Sequence, residues 1–168
     1  MPGFQDAPQI ALSSIAYRIV RSGIDPLSTR GSKLNGGRYN APGVDGVLYA
    51  SLEKATAVAE ITKGLAARGV NPQDFGPRDW WLYELELNVT KVLDLTDPKV
   101  LAHLQISPPS LIAEDVNATR QIGRQALAAG FQAILAPSAT HHGKNVVILL
   151  GAATPTPLVR SSAPIEIS

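Results

Sequence analysis

The chain has 168 residues, 45% of them hydrophobic, which suits one domain with one sizeable core. Fifteen Lys and Arg against fourteen Asp and Glu leave a formal charge of +1, without the single-sign surplus of a chain held mainly to nucleic acid. There is no cysteine, which excludes disulfides, thiolate zinc sites and a cysteine nucleophile.

Residues 1–13 hold two prolines and Thr154 to Ser168 three more, so both ends are expected to be peripheral to a single domain over 1–168 with a folded body of about 14–152. Met1 to Leu12 lacks a basic segment followed by an apolar run, and Val146 to Ala153 is too short to span a bilayer. The expectation is a cytoplasmic protein with no membrane partner. Ile15 to Val20 is an apolar run interrupted by Arg18 and predicts a strand, followed by a long loop over the polar, glycine-rich Ser22 to Gly46. Val47 to Ser51 predicts a second strand, with Ser51 capping a helix from about Leu52 to Arg68 and Glu53 in its first turn. That junction brings Tyr49 and Glu60 near each other.

From Trp81 to Val89 the residues Trp81, Tyr83, Leu85, Leu87 and Val89 alternate with Leu82, Glu84, Glu86 and Asn88, the period of a half-buried strand, which Lys91 to Leu95 continues. Short helices are expected over Pro98 to Leu104 and Ser110 to Asp115. Asn117 as N-cap and Gly130 as C′ residue bound a further helix, and Phe131 to Ala136 and Val146 to Leu150 read as buried strands. Helices inserted irregularly among strands argue for an α+β fold over a doubly wound parallel sheet.

The segment from Arg30 to Gly43 joins glycines to Arg30, Lys33 and Arg38, and exposed backbone amides beside guanidinium groups suit an anionic ligand such as a diphosphate; a solvated surface loop has the same composition. Arg18 interrupts an apolar strand, where an unpaired buried charge costs several kcal/mol, roughly, so it needs a partner, a ligand or a solvent-facing edge. Glu60 is the first acidic group after Glu53 and lies among small and apolar residues, as a functional carboxylate would; pairing with Lys63 at i,i+3 is the ordinary alternative. Pro137 to Asn145 brings Ser138, His141, His142, Lys144 and Asn145 to one end of the sheet. Adjacent histidines in a loop rarely converge on one ion and only His103 remains as a third imidazole, so no metal is expected. Ser138 lacks the G-x-S-x-G elbow of a nucleophile.

Taken in order, Tyr17-Arg18, Gly36-Gly37-Arg38-Tyr39-Asn40-Ala41-Pro42-Gly43, Leu48-Tyr49-Ala50-Ser51, Ala59-Glu60, and Pro137-Ser138 with Asn145 resemble the RES-domain family over roughly Ile15 to Leu150. The resemblance implies an ADP-ribosyltransferase-like mixed sheet around an NAD cleft, and a toxin of a bacterial toxin–antitoxin pair that consumes NAD by hydrolysis or phosphorolysis of the nicotinamide–ribose bond. It implies that Arg18 and Arg38 contact NAD, that Tyr49 lies at the nicotinamide, and that Glu60 is the catalytic acid. Ser138 and Asn145 match the family's serine and asparagine as further binding residues. Tyr39 stands where the family more often has tryptophan and keeps an aromatic wall. Arg18 and Tyr49 join Glu60 in the implied catalytic set.

The family also implies a cognate Xre-like antitoxin covering the cleft, with nucleic acid met only through that antitoxin; Leu158, Val159 and Ile165 are apolar tail residues available to such a surface. Three rival readings differ in chemistry. A mono-ADP-ribosyltransferase would share the NAD site and modify a protein, a binding module would leave the nucleotide intact, and a ribonuclease would use His141, His142 and Lys144. The near-neutral charge counts against the last.

Overall fold

The computed structural model describes residues 3–167, and its elements in chain order are β1 (Ile10–Arg21), α1 (Arg30–Asn35), β2 (Val47–Ser51), α2 (Lys54–Ala67), β3 (Trp80–Asp94), α3 (Pro98–Leu104), α4 (Asn117–Ala128), β4 (Ala133–Pro137), β5 (Lys144–Leu149) and β6 (Leu158–Pro164). Short 3₁₀ turns occupy Phe4–Asp6, Pro72–Asp74 and Pro108–Leu111. The strands pair in the order β1-β2-β5-β4-β3-β6, and β1 also pairs with β3, so five strands close on themselves as a barrel-like sheet with β6 added beside β3. All pairings are antiparallel except β3–β4. The fold is α+β, with the helices on the outside of this sheet.

The period-2 pattern decides which residues fill the barrel. Ala16, Leu48, Ala50, Leu85, Leu87, Val89, Leu135, Val146 and Ile148 share one buried cluster. The opposite faces of β2, β4 and β5, through Val47, Ile134, Val147 and Leu149, pack under α3 and α4 together with Phe131, Leu104 and Ile122. A third cluster joins α2, through Ala57 and Leu65, to Ile19, Trp80 and Leu82. Leu82, assigned by alternation to the polar side of its strand, is therefore buried because α2 covers that face.

The folded body extends beyond 14–152 at both ends. β1 begins at Ile10, and the tail supplies β6, whose residues are all exposed and which is held by its ladder to β3 and an ion pair from Arg160 to Glu86. A strand exposed on both faces has no burial period for sequence reasoning to detect. Leu158 and Val159 are exposed, but Ile165 packs into the third cluster. The loop expected over 22–46 contains α1, a six-residue helix that buries nothing and therefore carries no apolar stripe.

Several boundaries also move. Ser51 does not cap α2: Glu53 occupies the N-cap position, with no side-chain cap bond, and the Ser51 hydroxyl is engaged elsewhere. Asn117 is the first residue of α4 and not its cap: Val116 holds the N-cap position with no side-chain cap bond, and the Asn117 N–H is met by Asp115 Oδ1. Gly130 follows α4 at φ +81°, as its predicted C′ role requires. The helix expected over 110–115 is instead the 3₁₀ turn Pro108–Leu111, and β3 runs unbroken through Thr90. No described helix is long and apolar enough to cross a membrane.

Candidate active site

β1 and β2 pair at Tyr17 and Ser51 and nowhere else, although β1 continues four residues further. The barrel is therefore split along this seam, and a cavity of about 560 Å³ opens there. Arg18 bridges the split. Its Nη1 donates to the Tyr49 carbonyl at 2.8 Å and its Nη2 to the Ser28 carbonyl at 3.1 Å, while Nε is buried without a partner. Burial pushes the guanidinium pKa down to about 10, with the Asp25 charge opposing, so the group stays charged at neutral pH while its direct hydrogen bonds go to carbonyls alone.

The glycine-rich segment forms the adjoining wall. Arg38 donates to the Ala113 carbonyl at 2.7 Å and more weakly to Leu111, which ties it to the loop before α4. Tyr49 reaches across from β2: its hydroxyl donates to Asn40 Oδ1 at 2.7 Å and accepts from the Tyr39 N–H at 2.9 Å, and burial raises its pKa. Gly37 is glycine because a Cβ there would fall on the Tyr49 phenol end. Tyr39 also lines the cavity but is only 3% exposed and is built into the core, with its hydroxyl unpartnered and its pKa raised by burial. It can offer a ligand little more than an edge.

Glu60 enters the cavity from α2. Its Oε1 accepts from Ser138 Oγ at 2.5 Å and from Asn145 Nδ2 at 2.6 Å, joining residues 78 and 85 positions away. Lys63, the partner that helix spacing offered, instead donates to the Ala139 carbonyl at 2.8 Å. Asn145 lines the cavity, whereas Ser138 is 2% exposed and stands behind the carboxylate, with Thr140 at its hydroxyl.

Among the described residues, Glu60 is the single acid in the cavity wall, against four arginines: Arg18, Arg21, Arg38 and Arg68. Arg21 and Arg68 were not singled out in the sequence, and Arg21 stacks on Phe75 at 4.6 Å and Trp80 at 5.4 Å. The arrangement can bind a multiply anionic ligand and set one fixed negative charge against a cationic centre. His141, His142 and Lys144 are exposed and lie outside this wall. Among the described residues no group of three His, Asp or Glu side chains is placed to hold a metal ion.

The RES domain family matches residues 15–165. The chain belongs to the RES domain family. This RES domain is 34% identical over 120 residues to the probable NAD(+) phosphorylase Rv3189 of Mycobacterium tuberculosis, an alignment covering 71% of the chain and 55% of that relative, so the chain spans little more than half its length. It is 23% identical over 130 residues to the NAD(+) phosphorylase MbcT of Mycobacterium bovis, covering 77% and 70% of the two. In three dimensions it is similar to a chain in the crystal structure of the Mycobacterium tuberculosis MbcT–MbcA toxin–antitoxin complex, with a TM-score of 0.83 and 21% identity over 94% of this chain and 87% of that one. The barrel-like core is thus the fold seen in that complex.

Proposed function

We propose that this chain is a toxin that consumes NAD by phosphorolysis, transferring the ADP-ribosyl group from nicotinamide to inorganic phosphate. The observation that carries the reading is the lone carboxylate of Glu60, held by two donors in a cavity otherwise charged by arginines. NAD has the complementary pattern, a diphosphate at its middle and a cationic nicotinamide–ribose bond at one end. The names of the two relatives, both NAD(+) phosphorylases, support the choice of phosphate over water as acceptor.

In this reading Arg18 and Arg38 receive the diphosphate and the Tyr49 ring flanks the nicotinamide. The bond between ribose C1 and the nicotinamide nitrogen breaks, nicotinamide leaves as a neutral amide, and positive charge passes to the ribose in an oxocarbenium-like state of the kind met in glycoside hydrolysis. Glu60 stabilises that charge through the sugar hydroxyls, a preorganised electrostatic role. A phosphate oxygen then bonds to C1. Ser138 and Asn145 serve this chemistry by holding the carboxylate, and Tyr39 by closing the wall behind Tyr49. A single domain over 1–168, an ADP-ribosyltransferase-like ancestry of the cleft, a cytoplasmic site of action and an Xre-like antitoxin that covers the cavity belong to the same proposal. The likeness of this fold to a chain of the MbcT–MbcA toxin–antitoxin complex supports the antitoxin.

The test is incubation of the purified chain with NAD, with and without phosphate, following products by chromatography and mass. Nicotinamide together with ADP-ribose carrying a phosphate on ribose C1 is expected, in proportion to phosphate. Free ADP-ribose in both samples would replace phosphorolysis by hydrolysis, and intact NAD would overturn the reading, with ADP-ribose on a protein of a cell lysate then pointing to a transferase instead.

A further inference from the structure

Ser51 is 3% exposed at the end of β2 and faces Asn145 across the β2–β5 ladder. Its Oγ donates to Asn145 Oδ1 at 2.7 Å, and the other end of the same amide, Nδ2, donates to Glu60 Oε1 at 2.6 Å. Ser138 donates to that oxygen as well, so among the described residues both side-chain donors fall on Oε1 and none on Oε2. The carboxylate is thus gripped by one oxygen and leaves the other for a ligand.

We propose that Ser51 is a positioning residue that acts through the Asn145 amide to hold Glu60 in its productive orientation. An amide has two ends with opposite hydrogen-bonding character, and only the NH₂ end can serve a carboxylate. With Oδ1 occupied by the Ser51 proton, the NH₂ end is directed at Glu60 and the amide is polarised along the chain of bonds. Without the hydroxyl, a shielded acceptor loses its donor, and Asn145 regains its resting energy by turning away, which takes a donor from Glu60. Local geometry favours this role: Ser51 lies where β2 runs into α2, so one residue ties the strand carrying Tyr49, the strand carrying Asn145 and the helix carrying Glu60.

The inference rests on the proposed NAD cleavage for its kinetic arm only. Ser51→Ala, Asn145→Ala and the double variant are compared with wild type for kcat and KM toward NAD with phosphate, alongside thermal melts and the side-chain amide resonances of Asn145. The expected result is a fall in kcat of about tenfold for Ser51→Ala with KM nearly unchanged, and a double variant no slower than Asn145→Ala alone, since both changes cut one chain. Ser51→Thr, which keeps the hydroxyl, restores most of the turnover. Losses that multiply in the double variant, or an undiminished kcat in Ser51→Ala, overturn the proposal. If wild type leaves NAD intact, the proposed function fails while the amide resonances still decide this one: a shift in Ser51→Ala that Ser51→Thr reverses supports it, and resonances unmoved in Ser51→Ala refute it.

Discussion

The Arg18 guanidinium meets the Tyr49 carbonyl at 2.8 Å just beyond the last paired residues of β1 and β2, so a side chain takes the place of a ladder hydrogen bond where the barrel opens. The same group closes the seam and charges the cavity it borders. Arg18→Lys keeps the charge but cannot fork to both Tyr49 and Ser28 while also receiving a diphosphate. We expect KM for NAD to rise about tenfold or more, with a lower melting temperature. Steady-state kinetics and a thermal melt check this, and an unchanged KM would remove Arg18 from the binding site.

Glu60→Gln keeps size and removes charge. Turnover should fall by a factor of about 100 or more with the fold intact, because the stabilised charge exists only in the transition state. The measurement is kcat beside a circular dichroism melt; a variant that turns over at the wild-type rate sinks the assignment.

Tyr49 has two separable parts. Tyr49→Phe keeps the ring but releases the Asn40 side-chain oxygen and the Tyr39 N–H, loosening the glycine-rich wall, whereas Tyr49→Ala removes the ring too. KM should rise modestly in the first and far more in the second. Equal effects would mean that the ring only fills space.

Gly123 lies on α4 where the helix presses on the glycine-rich segment, and a Cβ there would fall on the Tyr39 carbonyl. Backbone cannot yield as a side-chain tip can, so Gly123→Ala should cost about 3 kcal/mol or more, as severe overpacking does. Urea unfolding would read this out as a lower midpoint with an unchanged slope.

Asp45 accepts from the Gly46 N–H and pairs with Lys33, and these lower its pKa below the usual aspartate range. A depressed folded pKa stabilises the protein above the unfolded value, near 3.9, and the benefit disappears as pH falls through the lower folded value. Melting curves of wild type and Asp45→Asn should therefore differ slightly at neutral pH and converge in acid. Divergence on acidification would contradict the assignment.

Much of this molecule was legible along the chain. β2 and α4 stand close to where apolar runs and Gly130 put them, and Glu60 was conspicuous as one carboxylate among small residues. The weak points were elements that bury little, α1 and β6, since a period of burial is the signal and these have none. Ser51 read as a helix cap because a cap is a local property, visible within four residues.

What the order of residues determined by itself was the inventory: which groups carry charge, which strands must have a buried face, and which family pattern the motifs follow. Only the tertiary structure decided their use. That Ser138 and Asn145 grip Glu60 from 78 and 85 residues away, that β1 and β2 part above Ser51, and that Arg21 and Arg68 border the same cavity depend on the closure of the barrel. Local pattern encodes burial residue by residue, whereas a site made by strands that meet across the sheet depends on register and pairing, which no window of sequence contains.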